Sequence, residues 1–164
     1  MKRNELKKNV VDELKDAGFK GFIPVSELRD GALNMIPDVS GVYMVLRVSD
    51  EAPVFLEKGS GGYFKGKEPN VSVAELEANY VDGASVVYIG KATSLRKRIR
   101  AYIRFGQGKP VGHWGGRYIW QLADASQLLF CWMPVDGDAD AVETDMICRF
   151  RDRYGCRPFA NLTK

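Results

Sequence analysis

Ser85-Val86-Val87-Tyr88-Ile89-Gly90-Lys91-Ala92-Thr93-Ser94-Leu95-Arg96-Lys97-Arg98-Ile99-Arg100-Ala101-Tyr102-Ile103-Arg104-Phe105 changes its period half-way along. The apolar, β-branched run over 85–89 reads as a strand. Beyond Gly90 the apolar residues return at helical spacing, which predicts a helix from Leu95 to Phe105. The same stretch holds the chain's positive charge. Between Gly83 and Ala123 stand eight Lys or Arg and no Asp or Glu, whereas the other 123 residues carry sixteen basic and twenty-one acidic groups. The formal +3 therefore blends +8 in one segment with −5 elsewhere. A segregated positive field suits phosphate, and above all a nucleic-acid backbone; a solvated basic face without a partner is the plain alternative.

Upstream, Gly41-Val42-Tyr43-Met44-Val45-Leu46-Arg47-Val48 reads as a buried strand. Residues 49–70 read as surface hairpin and loop. Their Gly59-Ser60-Gly61-Gly62 tip lacks the Gly-Lys-Ser/Thr of a phosphate loop and reads better as a flexible turn. Ser72 with Glu75 forms a capping-box signature for a short helix ending near Tyr80. Downstream come a Gly-rich turn (His113-Trp114-Gly115-Gly116), an apolar segment over 118–123, a strand over 127–133 and a helix over 140–154. Near the start, Asn4 caps a helix with Leu6, Val10 and Leu14 on one face, stopped by Gly18. Pro24 and Pro37 then punctuate a loop region with one short helix near Ser26 to Arg29. These elements make an α+β chain with few strands.

Composition bounds the rest. A chain of 164 residues, 45% hydrophobic and 27% charged, is an ordinary globular domain, which excludes disorder and fibre. No signal peptide and no apolar run of the roughly 20 residues that cross a bilayer is visible, so a cytoplasmic protein without a membrane partner is expected. Cys131, Cys148 and Cys156 contain no CxxC pair and read as reduced core thiols. The single histidine, His113, excludes a multi-histidine metal centre.

Two helices carry a charge on the wrong face. At about 100° per residue, Leu95, Ile99, Tyr102 and Ile103 share one side of the basic helix, while Arg96, Lys97, Arg100 and Arg104 form a cationic stripe on the other. Arg98 leaves the stripe and falls between Tyr102 and Phe105; a snorkelling or salt-bridged arginine is the bland account. On the last helix, Glu143 falls within about 40° of Ile147, Phe150 and Tyr154. A capping box from Asp140 would explain its spacing but not its apolar neighbours. An inward Arg and an inward Glu suggest a polar site in the core wall, occupied by a metal ion, a charged substrate or each other.

Gly41-Val42-Tyr43 and Val87-Tyr88-Ile89-Gly90 resemble the two strand motifs that name the GIY-YIG nucleases. The run from Tyr88 to Tyr102 resembles the incision domain of bacterial nucleotide-excision repair, and Phe159-Ala160-Asn161 resembles the family's closing Asn motif. The resemblance covers 41–164 and leaves 1–40 as an N-terminal helical extension, with 49–82 as an insertion. It implies a three-stranded antiparallel sheet flanked by helices and hydrolysis of DNA phosphodiester bonds. The implied cofactor is one divalent ion, Mg²⁺ or alternatively Mn²⁺. Its site would comprise Tyr43, Tyr88, Lys91, Arg98 and Tyr102, with Glu143 as metal ligand and Asn161 as a support for the Glu143 helix.

The implied reaction is a one-step, in-line attack by water, with one tyrosine, Tyr43 by preference, taking the water's proton. Lys91 and Arg98 would lower that phenol from its usual value of about 10. The stripe, joined by Arg117, would contact the DNA backbone. His113 is either a substrate contact or a turn residue, and Trp114 and Trp120 read as core in preference to base-stacking platforms. A restriction-type enzyme, a non-cleaving binding module and an RNA-directed protein remain open at this point, as does the oligomeric state.

Overall fold

A near-continuous apolar run is buried on both faces only in the interior of a sheet, and Gly41–Leu46 takes that place. In the computed structural model, which describes residues 3–162 and side chains from Asn9 onward, every residue of this strand is buried. The strands are β1 (Lys20–Pro24), β2 (Gly41–Leu46), β3 (Val86–Ala92) and β4 (Leu129–Pro134), in the order β1-β4-β2-β3 with all neighbours antiparallel. The sheet is therefore four-stranded, not three-stranded. The extra strand comes from the loop region expected between Gly18 and Pro37. It hides in sequence because it has only five residues, ends in proline, and bulges between Gly21 and Ile23, where Phe22 adopts φ 58°. A bulge erases the period-2 pattern, and the proline is tolerated because β1 is an edge.

Alternation along β2 sends Val42, Met44 and Leu46 to one face and Tyr43 and Val45 to the other. The helices α1 (Arg3–Asp16) and α5 (Ala139–Tyr154) cover the first face, through Val11, Leu14, Ile147 and Phe150. Opposite them lie α2 (Val25–Arg29), α3 (Val73–Asn79), α4 (Leu95–Phe105) and a 3-10 segment over Trp114–Gln121. The first helix begins at Arg3, ahead of Asn4; the side chains of Asn4 and Leu6 lie outside those described. Trp120 is buried in the core, as expected, and Trp114 packs edge-on against Phe105. Of the cysteines, Cys131 alone is a core thiol; Cys148 and Cys156 are free and exposed on or just beyond α5.

The insertion is fastened to the domain. Ser72 accepts from Glu75 N, but the Glu75 carboxylate accepts from Tyr118 Oη at 2.7 Å. The Gly-rich tip spends three of its four N–H groups on protein: Gly59 donates to Asn70 Oδ1, Ser60 to the Trp120 carbonyl and Gly62 to the Phe105 carbonyl. It is a packing element and not a phosphate cradle. Buried Gln121 completes the seam, donating to the Leu56 and Val71 carbonyls and accepting from Val71 N.

Strand β3 is the other sheet edge, and the segment after α5 covers it. Ala160 N donates to the Val87 carbonyl, while Asn161 accepts from Ile89 N at 3.0 Å and donates to Ile89 O at 2.9 Å. Asn161 thus supports the strand that carries Tyr88 and Lys91, where a support for the Glu143 helix was expected. Asn161→Ala should leave both backbone groups of Ile89 without a partner and destabilise the fold by about 2–4 kcal/mol in urea unfolding.

Candidate active site

Register brings the motif tyrosines together. Tyr43 lies opposite Gly90 and Val45 opposite Tyr88, so the two tyrosines are diagonal neighbours on one face, their ring centroids 5.8 Å apart. Gly90 is required here: a Cβ at that position would sit 2.6 Å from Tyr43 Cζ. From α4, Tyr102 closes on Tyr88 with ring centroids 5.2 Å apart, and its hydroxyl donates to the Gly116 carbonyl at 2.6 Å. His113 fills the remaining space. Its ring stacks on Tyr102 at 3.5 Å and 11°, and Nε2 lies 2.6 Å from Tyr43 Oη.

Beside this cluster a cleft of about 610 Å³ opens between β3, the start of α4 and the start of α5. Tyr88, Lys91, Arg98 and Glu143 line it, together with Ser40, Thr93, Asp138 and Asp140. The two charges that the helical periodicity turned inward therefore meet in one place, although their helices lie on opposite faces of the sheet. The capping account of Glu143 does not hold. Asp138, not Asp140, is the N-cap, accepting from Ala141 N, and Glu143 stands further into the helix at 7% exposure. Asp140 instead forms an ion pair with Lys91. Arg98 is half-buried and donates from Nη1 to the Gly112 carbonyl at 2.6 Å, holding the turn that delivers His113.

Tyr88, at 9% exposure, faces the cleft; Tyr43 is fully buried behind it and does not line it. Burial pushes the Tyr43 and Tyr102 phenols well above their usual range and raises Tyr88 as well. For Tyr88 the Tyr43 hydroxyl and the Arg98 guanidinium pull downward, while Glu143 pushes upward. The expectation that nearby cations would lower a tyrosine is thus met in direction by Arg98 but overridden by desolvation. Burial, then Arg98, holds His113 well below the usual histidine range, so its imidazole is neutral.

The cationic stripe is less uniform than its wheel. Lys97 and Arg104 are exposed and Arg100 is half-buried. Arg96 donates to the Ile36 carbonyl at 2.7 Å and ties α4 to the segment after α2. Arg117 lies over the Trp114 ring at 4.4 Å and donates to the Trp114 carbonyl, half-buried. Sequence reasoning missed Asp138, Asp140 and Thr93 as lining residues. The cap and the Lys91 partner sit in a polar turn whose composition alone carries no site signal.

Among the described residues no three of His, Cys, Asp and Glu converge as a metal cage. Glu143, the one buried carboxylate of an open cleft whose other two, Asp138 and Asp140, are exposed, suits a hard divalent ion that keeps most of its waters and does not suit a caged structural zinc.

No family model matches the chain, and no solved structure does. Over 73 residues, 44% of the chain, it is 29% identical to UvrABC system protein C of Nautilia profundicola. The match spans 12% of that relative's length. The likeness is local. Among the described residues no helix is long and apolar enough to cross a membrane.

The buried histidine makes stability depend on pH. Its folded value lies well below the unfolded value of 6.5, so below that pH the unfolded chain takes up a proton that the native protein refuses. Stability should fall by up to about 1.4 kcal/mol per pH unit below 6.5. Denaturant unfolding at pH 5 to 7 should show that slope in the wild type and lose it in His113→Phe.

Proposed function

We propose that the protein is a metal-dependent endonuclease of the GIY-YIG type, hydrolysing DNA phosphodiester bonds by one-step, in-line attack of water. The observation that carries the reading is the convergence of Tyr88, Lys91, Arg98 and Glu143 on one cleft wall. A module that merely held nucleic acid would gain nothing from a buried carboxylate facing phosphate. The motif resemblance and the local likeness to UvrABC system protein C support the same class.

Each residue takes a role that its surroundings allow. Tyr88 has access to the cleft and buried Tyr43 does not, so Tyr88 accepts the proton of the attacking water. Its reactive form is the phenolate, a minor form that Tyr43 and Arg98 favour and burial opposes. Arg98 presents a planar, two-pronged donor to the phosphorane oxygens, and Lys91 adds positive potential, shared in the free protein with Asp140. Glu143 would hold the divalent ion, Mg²⁺ or Mn²⁺, which when bound supplies Lewis-acid stabilisation of the leaving 3′-oxygen. Lys97, Arg100 and Arg104 track the backbone on the outer face of α4, while Arg96 and Arg117 serve mainly to hold the fold.

The direct test is incubation with supercoiled plasmid, linear duplex, branched DNA and RNA, with Mg²⁺ or Mn²⁺ and with EDTA. Metal-dependent nicking is expected; binding without cutting would assign the chain to the non-cleaving class. Glu143→Gln should abolish cleavage with fold and DNA affinity retained. Arg98→Ala should slow single-turnover cleavage by about 10²-fold with little loss of affinity, and Arg98→Lys should rescue poorly. Binding measured in Ca²⁺ separates the two effects.

Replacing Lys97, Arg100 and Arg104 together by Gln should instead weaken binding to every sequence alike. The slope of log K against log [salt] should drop by roughly 0.9 for each duplex phosphate that is no longer neutralised. An unchanged slope would remove the stripe from the interface.

A further inference from the structure

The nuclease reading leaves His113 without work, yet its ring is closely held beside the cleft. It is fully buried, stacked flat on Tyr102 and 2.6 Å from Tyr43 Oη. The turn that delivers it is held on both sides, by Arg98 on Gly112 and by Tyr102 on Gly116. Gly116 itself admits no side chain, because a Cβ there would lie 2.3 Å from Tyr102 Oη and 2.9 Å from His113 Cε1. Ordinary core packing asks for none of this in a polar ring.

The hydrogen-bond inventory gives the ring a direction. A neutral imidazole has one N–H. Nδ1 lies near its own backbone carbonyl but has no partner of hydrogen-bonding geometry, whereas Nε2 faces Tyr43 Oη. A buried donor without an acceptor is costlier than a buried lone pair, which favours the tautomer with the proton on Nε2 and Tyr43 Oη as its acceptor. Tyr43 must then place its own proton elsewhere. Its other polar neighbours are Arg98, which carries donors alone, and the Tyr88 hydroxyl. Tyr102 does not compete, being committed to the Gly116 carbonyl.

We propose that His113 is a positioning residue of the reaction: its Nε2–H orients the Tyr43 hydroxyl toward Tyr88, so that a donor chain from the core leaves the cleft-facing Tyr88 oxygen as the acceptor for water. The proposal rests on the nuclease reading and assigns the one histidine of the chain a part in it. It also gives fully buried Tyr43 a function that does not require contact with substrate.

Because the chain has a single histidine, its ¹⁵N spectrum reports the tautomer without assignment. The Nε2–H form is expected between pH 6 and 8, and the Nδ1–H form would overturn the chain's direction. In single-turnover cleavage, His113→Phe, which keeps the stack and removes the donor, should lose roughly 10- to 100-fold in rate, the worth of one hydrogen bond to a charged oxygen. Affinity for DNA in Ca²⁺ should stay within about twofold, since the buried ring is not among the groups that grip phosphate. His113→Gln, which returns an N–H near Nε2, should recover to within about fivefold of the wild type.

Should the Phe variant fail to fold, Tyr43→Phe removes the next link and should show the same loss. Where both fold, the double variant should be no slower than the slower single one, because one chain is broken once. A Phe variant as fast as the wild type, equal impairment of Phe and Gln, or additive losses would each overturn the role of His113 while leaving the nuclease reading in place. A wild type that cuts neither DNA nor RNA overturns both.

Discussion

Register between β2 and β3 is the constraint on which the site depends. Side chains alternate along a strand, so a slip of one residue would send either Tyr43 or Tyr88 to the opposite face, among the contacts of α1 and α5. Three features pin the register. Gly90 leaves the space into which the Tyr43 ring settles, and Asn161 grips both backbone groups of Ile89. Ala160 adds a bond to the Val87 carbonyl further along the same strand. An edge strand without such cover would be free to shift or to pair with another chain. Here the segment after α5 closes the edge, so the helix that carries Glu143 and the strand that carries Tyr88 are tied through the same few residues.

From that frame the chemistry follows by desolvation. Three phenols and an imidazole are packed into the core side of the sheet, and burial favours the neutral form of all four. The charged groups Arg98 and Lys91 stay at the rim, where the cleft admits water, and buried Glu143 lines the same cleft; each has a polar neighbour. Neutral donors and acceptors stand behind and charges in front. The arrangement avoids the large cost of an unpaired buried ion while keeping a positive potential where a phosphate would lie.

Much of this was legible because it is periodic. The helix α4 runs over the span its wheel predicts, and the inward placement of Arg98 and Glu143 follows from spacing alone. The elements that escaped are those with no period. Five residues with a bulge and a terminal proline do not announce a strand, although β1 pairs along its length with β4. The Gly-rich tip looked free because glycines signal turns in sequence whether or not their N–H groups are spent, and here Phe105 and Trp120 take them. Arg96 and Arg117 share the charge of the stripe residues but not their surroundings: backbone carbonyls of Ile36 and Trp114 claim their guanidinium groups. Charge is written in the sequence, whereas its partners across the fold are not.

The position of His113 is the sharpest case of that limit. Nothing in the local sequence says that a histidine before Trp-Gly-Gly will reach a tyrosine seventy positions earlier. The link is made by two side chains of α4, four residues apart on one face, each taking a backbone carbonyl of the same turn, at Gly112 and Gly116. Arg98 and Tyr102 therefore do two things at once: they complete the cleft and its ring cluster, and they fold an otherwise irregular turn into a fixed shape. A loop shaped by the residues of a site can deliver a group to that site without any regular structure of its own, which is why it carries no periodic signal and why its placement is nonetheless specific.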